Sequence, residues 1–105
     1  MRKIAILQSS NTPNIATEAL DVALALASFD IPVQLILIDD AVNVLLSSPS
    51  KRYAMLELLD AEPIALCSSL AIKTNTLPTN IEAITISKEN LKQHLKQFDE
   101  VLQFS

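Results

Sequence analysis

Two patterns of apolar residues alternate along the chain: short apolar runs, and longer stretches with apolar residues at helical spacing. The longest stretch, residues 15–29, is rich in Ala and Leu and carries Glu18 and Asp21 away from its apolar side, which predicts an amphipathic helix. Thr12 and Pro13 precede it, as is typical of an N-cap followed by proline in the first turn. The short runs predict buried strands at residues 3–7, 33–38, 63–67, 82–86 and 100–104.

Three further segments have the spacing of helices and lie between the predicted strands. A short helix is predicted at residues 41–46 and an amphipathic helix at residues 51–59. Ser87 is predicted to cap the last helix. Residues 68–80 fit either a short helix or a loop. The apolar stripe of the last helix comprises Leu91, Leu95 and Phe98.

Strands and helices in alternation predict an α/β fold with a parallel sheet and right-handed crossovers. We expect a three-layer α/β/α arrangement with a mostly parallel five-stranded sheet, of the Rossmann or flavodoxin-like kind. The length of 105 residues fits a single domain spanning residues 1–105. Only four residues are aromatic, although half are hydrophobic, so the core is expected to be aliphatic, as in sheets covered on both faces.

The charge of the chain excludes some classes of partner. Its net charge is −4, and its eight Lys and Arg residues are scattered, which argues against direct binding of nucleic acid. An acidic surface also disfavours anionic membranes, and no apolar run approaches the roughly 18 residues that span a bilayer. The apolar stretch at the N-terminus is too short for a signal peptide and predicts a strand. We therefore expect a cytoplasmic protein.

Two residue types are informative by their scarcity. The chain has one cysteine, which leaves no internal disulfide and no Cys-rich metal site. It has no glycine, so it lacks the Gly-x-Gly-x-x-Gly and Walker loops that hold dinucleotides and triphosphates. We expect neither a cofactor nor a metal.

Cys67 is the residue with the clearest chemical potential, and it supports two interpretations. It ends the apolar run Ile64-Ala65-Leu66, and in open α/β sheets binding sites gather at the carboxyl ends of strands. A helix starting nearby would stabilise its thiolate and make the sulfur a nucleophile. In the alternative interpretation Cys67 is a buried, inert thiol, since free cysteines are among the most buried residues.

The other candidate residues have simpler explanations beside a functional one. Asp39 and Asp40 could hold a metal or move protons, but aspartates at such positions also form turns and helix caps. His94, flanked by lysines, fits a surface or boundary position. Ser9 and Ser10 follow the first strand, where ligands bind, but they lack the signature of a nucleophile and fit a loop.

Four segments carry a pattern that goes beyond composition. They are Glu18-Ala19-Leu20-Asp21, Asp39-Asp40-Ala41-Val42 followed by Leu45-Leu46, the run from Leu58-Leu59-Asp60 through Pro63 to Cys67, and the terminal Phe98-Asp99-Glu100-Val101-Leu102-Gln103-Phe104. In this order, over nearly the whole chain, they resemble the DsrE/F/H superfamily of sulfur-relay proteins, and its TusC/DsrF branch best. Ala19 and Asp40 stand where the family has glycine.

This resemblance implies a subunit of a TusBCD- or DsrEFH-like hetero-oligomer that passes persulfide sulfur between proteins. Its partners would be TusB/DsrH-like and TusD/DsrE-like subunits, with sulfur donor and acceptor proteins. The pathway would be thiolation of the wobble uridine in tRNA or dissimilatory sulfur metabolism. Such transfer needs cysteines on separate proteins and neither metal nor nucleotide. The family assigns the carrier cysteine to the TusD/DsrE-type partner, so Cys67 is either a second carrier or silent.

Three functions remain open at the level of sequence. The chain is a relay subunit acting as a sulfur carrier rather than a classical enzyme, a structural subunit of the same complex, or an unrelated flavodoxin-like binding module. The missing glycines and scarce aromatics count against flavin in the third case. The Ala-rich helix at residues 15–29 and the high apolar fraction predict co-assembly with the partner subunits, or self-association when the chain is alone.

Overall fold

A computed structural model describes residues 2–10, 12–43, 51–59, 61–67 and 83–104. In it, five strands form one sheet in the order β4-β3-β2-β1-β5, and all neighbouring strands are parallel. The predicted α/β class and the five predicted strands are confirmed, with small shifts at the ends of three of them. The strands are β1 (Ile4–Gln8), β2 (Val33–Ile38), β3 (Ile64–Cys67), β4 (Ala83–Thr85) and β5 (Glu100–Phe104).

The described helices are α1 (Pro13–Ser28), α2 (Ala54–Leu58) and α3 (Lys88–Leu95). Residues Lys51–Tyr53 form a 3₁₀ turn that leads into α2. Of the predicted helix at residues 41–46, Ala41 and Val42 belong to a 3₁₀ turn at Asp39–Val42, Asn43 is helical, and residues 44–46 lie outside the described ranges. Within those ranges, no helix has the length and apolar composition needed to cross a membrane.

One face of the sheet packs against α1 and α2. The strands contribute alternate side chains to this face, among them Ile6, Leu35, Leu37 and Leu66, which are almost completely buried. The apolar side of α1 lies on this layer as the helical spacing predicts. The buried residues of α1 are Ala16, Ala19, Leu20, Ala23, Leu24 and Ala27.

The opposite face carries a smaller cluster under α3, which completes the three layers. Ala5, Ile36 and Ala65 supply its floor, and Leu91 and Leu95 of α3 pack against it. The last predicted helix is shorter than its apolar stripe suggested, because it ends at Leu95. The remaining residue of the stripe, Phe98, lies beyond the helix but is buried in the same cluster.

Two aspartates take the left-handed backbone conformation in this glycine-free chain: Asp30 with φ 60° and Asp39 with φ 51°. Asp30 follows the end of α1, where its amide donates to the carbonyl of Ala27 and the amide of Ile31 donates to the carbonyl of Leu26. This is the Schellman arrangement, in which glycine is the usual residue. Aspartate is one of the few other residues that tolerate it.

Candidate functional site

The carboxyl ends of the central strands meet at one edge of the sheet, which we call the carboxyl edge. Ile38 ends β2 and pairs with Cys67, which ends β3. Strand β3 lies between β2 and β4. The residues that follow β2 and β4 therefore flank Cys67 on either side.

Cys67 lies on the face of the sheet that α3 covers. Side chains alternate along a strand, so Cys67 projects to the same face as Ala65, a member of the cluster under α3. The amide of Ile86 donates to the carbonyl of Leu66 at 2.9 Å, which holds the segment leading into α3 beside the end of β3. The Cys67 side chain is completely buried. The predicted position at a strand's carboxyl end is confirmed. Residues 68–80, where a helix could follow Cys67, lie outside the described ranges, and the described helix that begins near this end of the sheet is α3.

An ion pair joins the two sides of this site. The Nζ atom of Lys88, the first residue of α3, lies 2.7 Å from Oδ1 of Asp39, which follows β2. Because β3 runs between β2 and the strand that precedes α3, this ion pair crosses the carboxyl end of β3. Both side chains are about half exposed, at 47% and 52%. A cation and an anion therefore lie next to each other at the end of the strand that carries the thiol.

The charges around Cys67 act in opposite directions. Burial raises the pKa of the Cys67 thiol, the Lys88 ammonium lowers it, and the Asp39 carboxylate raises it further. Burial is the largest of the three, so the thiol is mainly protonated near neutral pH in this conformation. The hydrogen bond to Asp39 in turn raises the pKa of Lys88, which keeps this side chain cationic. The site therefore holds a protonated thiol beside a permanent positive charge.

The predicted roles of Asp39 and Asp40 change in the structure. Asp39 and Asp40 begin a 3₁₀ turn, so the predicted turn is confirmed, but its N-cap is Ile38 rather than either aspartate, so the predicted cap is wrong. Asp39 instead combines a left-handed backbone with the ion pair to Lys88. In the described part of the chain, no three His, Cys, Asp or Glu side chains are grouped so that they could hold a metal ion.

Gln8 and the serines at the end of β1 form a locally bonded loop. Gln8, which the sequence pattern placed after the first strand, is the last residue of β1 and is completely buried. Its Nε2 donates to the Ser10 carbonyl at 2.8 Å, while its Oε1 has no hydrogen-bond partner among the described residues. The Ser10 hydroxyl lies 2.8 Å from the hydroxyl of Thr12 and accepts the Thr12 amide. The side chain of Thr12 therefore does not bond its helix, although Thr12 occupies the predicted N-cap.

His94 lies at the opposite, amino edge of the sheet and is half-buried. Its Nε2 is 2.6 Å from Oε1 of Gln34, a buried residue near the start of β2 whose Nε2 donates to the Pro63 carbonyl at 2.8 Å. Because the Gln34 oxygen is the acceptor, His94 carries its proton on Nε2. Gln97 Nε2 lies 3.0 Å from the remaining ring nitrogen and donates to it. The predicted boundary position is confirmed, and His94 is far from Cys67 along the strands.

The two buried glutamines give a matched test of hydrogen-bond satisfaction. We expect Gln34→Leu to lower the free energy of unfolding by about 1–3 kcal/mol, because it removes the hydrogen bonds that Gln34 makes to the Pro63 carbonyl and to Nε2 of His94. Gln8→Leu should change stability by less than about 1 kcal/mol, because Oε1 has no partner in the described part of the chain and the lost bond from Nε2 leaves only the partly exposed Ser10 carbonyl, which water can reach. Urea unfolding of both variants measures the difference. Equal losses would contradict these different roles of the two side chains.

The environment of His94 predicts how stability depends on pH. Burial, helped by the nearby Lys3 ammonium and opposed by Glu62, lowers the His94 pKa below its ordinary value of 6.5. Between the lowered pKa and 6.5 the unfolded chain binds more protons than the folded one, so stability falls as the pH drops through this window. Between pH 7.5 and pH 5.5, the free energy of unfolding measured with urea should fall more for the native chain than for His94→Gln. A loss of the same size in both chains would contradict this role of His94.

Lys88 is the residue of this site that sequence reasoning missed. Its signal was its place directly after Ser87, at the start of a helix, where a positive charge is unfavourable because the helix dipole is positive there. Such a lysine indicates an anionic partner elsewhere in the fold, in this case Asp39. Ser87 itself takes the predicted N-cap position but makes no side-chain hydrogen bond to the helix.

Comparison with known proteins agrees with the fold and with the pattern of segments in the chain. The model of the DsrE/DsrF-like family matches residues 2–104. A search of curated proteins found no match. The match spans all five strands and the three described helices, including both sides of the Cys67 site. The chain belongs to the DsrE/DsrF-like family, and this membership indicates a role in sulfur relay.

Proposed function

We propose that the chain is a TusC/DsrF-type subunit of a TusBCD- or DsrEFH-like complex, and that Cys67 carries persulfide sulfur within it. The observation that supports this most is the position of the only cysteine, at the carboxyl end of β3 beside the Lys88 ammonium. A sulfur anion formed there would have a positive charge next to it. Membership of the family makes the unrelated binding module the weakest of the three functions.

The transfer step needs only thiol chemistry. The Cys67 thiolate attacks the outer sulfur of a donor persulfide R–S–SH, the donor S–S bond breaks, and the donor leaves as the thiolate R–S⁻. A new S–S bond forms at Sγ, which gives Cys67–S–SH. No net oxidation occurs, and the acceptor protein repeats the same attack to remove the sulfur. The end point would be thiolation of the wobble uridine in tRNA or dissimilatory sulfur metabolism.

Exposed apolar side chains support the proposed assembly with TusB/DsrH-like and TusD/DsrE-like subunits. Leu58 and Met55 on α2 are 81% and 46% exposed, and Phe29 at the end of α1 is 77% exposed. Met55 and Leu58 are three residues apart and so lie on one side of α2, and neighbouring exposed apolar residues of this kind are typical of surfaces that partners cover. The acidic surface fits protein partners rather than the tRNA itself.

A structural role in the same complex is the second candidate. The complete burial of Cys67 and its raised pKa favour it, because a reagent or donor cannot reach the sulfur in this conformation. In that case the subunit would position the TusD/DsrE-type carrier without handling sulfur.

A reconstituted relay containing the partner subunits, a sulfur donor and an acceptor separates the two candidates. If Cys67 carries sulfur, Cys67→Ser should lower the transfer rate at least tenfold, since the hydroxyl cannot form a persulfide. The variant should still bind the partner subunits, which sedimentation of the complex checks. A relay that runs at full rate with Cys67→Ser would assign the chain the structural role.

A further inference from the structure

The ion pair between Lys88 and Asp39 holds the cation that Cys67 needs. It spans the end of β3, with Asp39 contributed from the β2 side and Lys88 from the start of α3. Among the described residues, these two also act on the Cys67 thiol, and they act in opposite directions. While Lys88 is held on Asp39, the carboxylate therefore offsets part of the stabilisation that the ammonium gives to a sulfur anion at Cys67.

The ion pair is well suited to open. Both of its side chains are about half exposed to solvent. Ion pairs of this kind contribute little to stability, because water competes for both charges. Lysine also presents its charge at the end of a flexible four-carbon stem, which can be redirected without moving the backbone.

We propose that Lys88 alternates between two anions, the Asp39 carboxylate and the sulfur anion of Cys67, and so acts as a positioning residue for sulfur transfer. While Lys88 is bound to Asp39, Cys67 is a protonated, unreactive thiol. When Lys88 turns to Cys67, it stabilises the thiolate or the persulfide anion. This inference rests on the proposed function, because only a cysteine that handles sulfur requires a cation that can be released to it.

The chain offers conservative variants for each partner. Asp39→Asn removes the carboxylate and keeps a residue that tolerates the left-handed backbone of this position. Lys88→Gln removes the cation and keeps a side chain of similar length. Lys92→Gln, an exposed change one turn further along α3, is the matched control for loss of a positive charge.

The test is the pH dependence of Cys67 alkylation by iodoacetamide in the folded full-length chain. The midpoint of the rate profile reports ionisation of the thiol, and its plateau reports access to the sulfur. Asp39→Asn should shift the midpoint to lower pH and raise the rate at pH 7 about three- to tenfold, because Lys88 becomes available to the thiolate. Lys88→Gln should shift the midpoint to higher pH, and Lys92→Gln should leave it unchanged.

The double variant distinguishes the alternation of Lys88 from a direct effect of Asp39. Because the Asp39 carboxylate raises the Cys67 pKa directly, Asp39→Asn lowers the alkylation midpoint even in a chain that lacks Lys88. We therefore expect Asp39→Asn to shift the alkylation midpoint by a clearly smaller amount in the Lys88→Gln chain than in the native chain. Equal effects in both backgrounds, or a midpoint of Lys88→Gln no different from that of Lys92→Gln, would overturn the proposal.

Two further readouts keep the test decisive. Titration of the thiolate by its ultraviolet absorbance needs no reagent to reach Cys67, and it should give the same order of midpoints. Circular dichroism confirms that each variant is folded. The proposed function fails separately, because it requires a persulfide on Cys67 and none of these measurements uses a sulfur donor.

Discussion

Replacing Leu37 with alanine should lower the free energy of unfolding by about 3–5 kcal/mol, the largest loss of stability that we expect from a single substitution in this chain. Leu37 is completely buried in β2, whose neighbours are β1 and β3, with Gln8 and Leu66 as its register partners. Its side chain belongs to the cluster between the sheet and the α1 face. Alanine would leave a cavity that a parallel sheet, held on both sides, cannot close.

Leu58→Ala is the matched control for this substitution. Leu58 lies on α2 and is 81% exposed, so the same atoms are removed from a site where they are already in contact with water. The free energy of unfolding of the Leu58→Ala variant should differ from that of the native chain by less than about 0.5 kcal/mol. Urea unfolding measures the difference, with the same dependence of the unfolding free energy on urea concentration used for both variants. Similar losses at Leu37 and Leu58 would contradict the assignment of this face of the sheet to the core.

The elements that local pattern determines were predictable from the sequence. Residues 33–38 form β2 within the predicted bounds, because a run of Val, Ile and Leu suits a strand buried on both faces. The apolar side of α1 matches its buried residues, because a 3.6-residue repeat places them on one side of the helix. The end of the last helix was less predictable. Phe98 lies beyond the helix but is buried in the same cluster as its apolar stripe, so the stripe does not show where the helix ends.

The contacts that define the two edges of the sheet join residues far apart in the chain, and no local pattern reveals them. Gln34 interrupts the apolar run of β2, and its burial depends on His94, 60 residues away. A buried polar residue requires a partner, but the sequence does not say which. Asp39 meets Lys88 for a similar reason, because the order β4-β3-β2 places their elements on either side of β3.

Cys67 shows the limit of prediction at the site itself. Its place at the end of a strand followed from the run of apolar residues before it. Its complete burial and the opposing charges beside it depend on how three strands and α3 come together. These features decide whether the thiol is an active carrier, so the sequence left both interpretations open.

Trapping of a persulfide tests the central claim, that Cys67 carries sulfur, most directly. The full-length chain is incubated with a persulfide donor in the presence of its partner subunits, capped with a thiol-selective alkylating reagent, and digested for mass spectrometry. We predict that the peptide containing Cys67 gains one sulfur atom, and that a reductant removes it. Cys67→Ser provides the control, since its peptide should gain none.

The outcome is clear in either direction, because the same digest reports whether the reagent reached the thiol. If Cys67 is recovered with the alkyl group and the additional sulfur, the chain is a carrier in the relay. If Cys67 is recovered without additional sulfur while the TusD/DsrE-type partner is persulfidated in the same mixture, Cys67 does not carry sulfur, and the proposed carrier role is wrong.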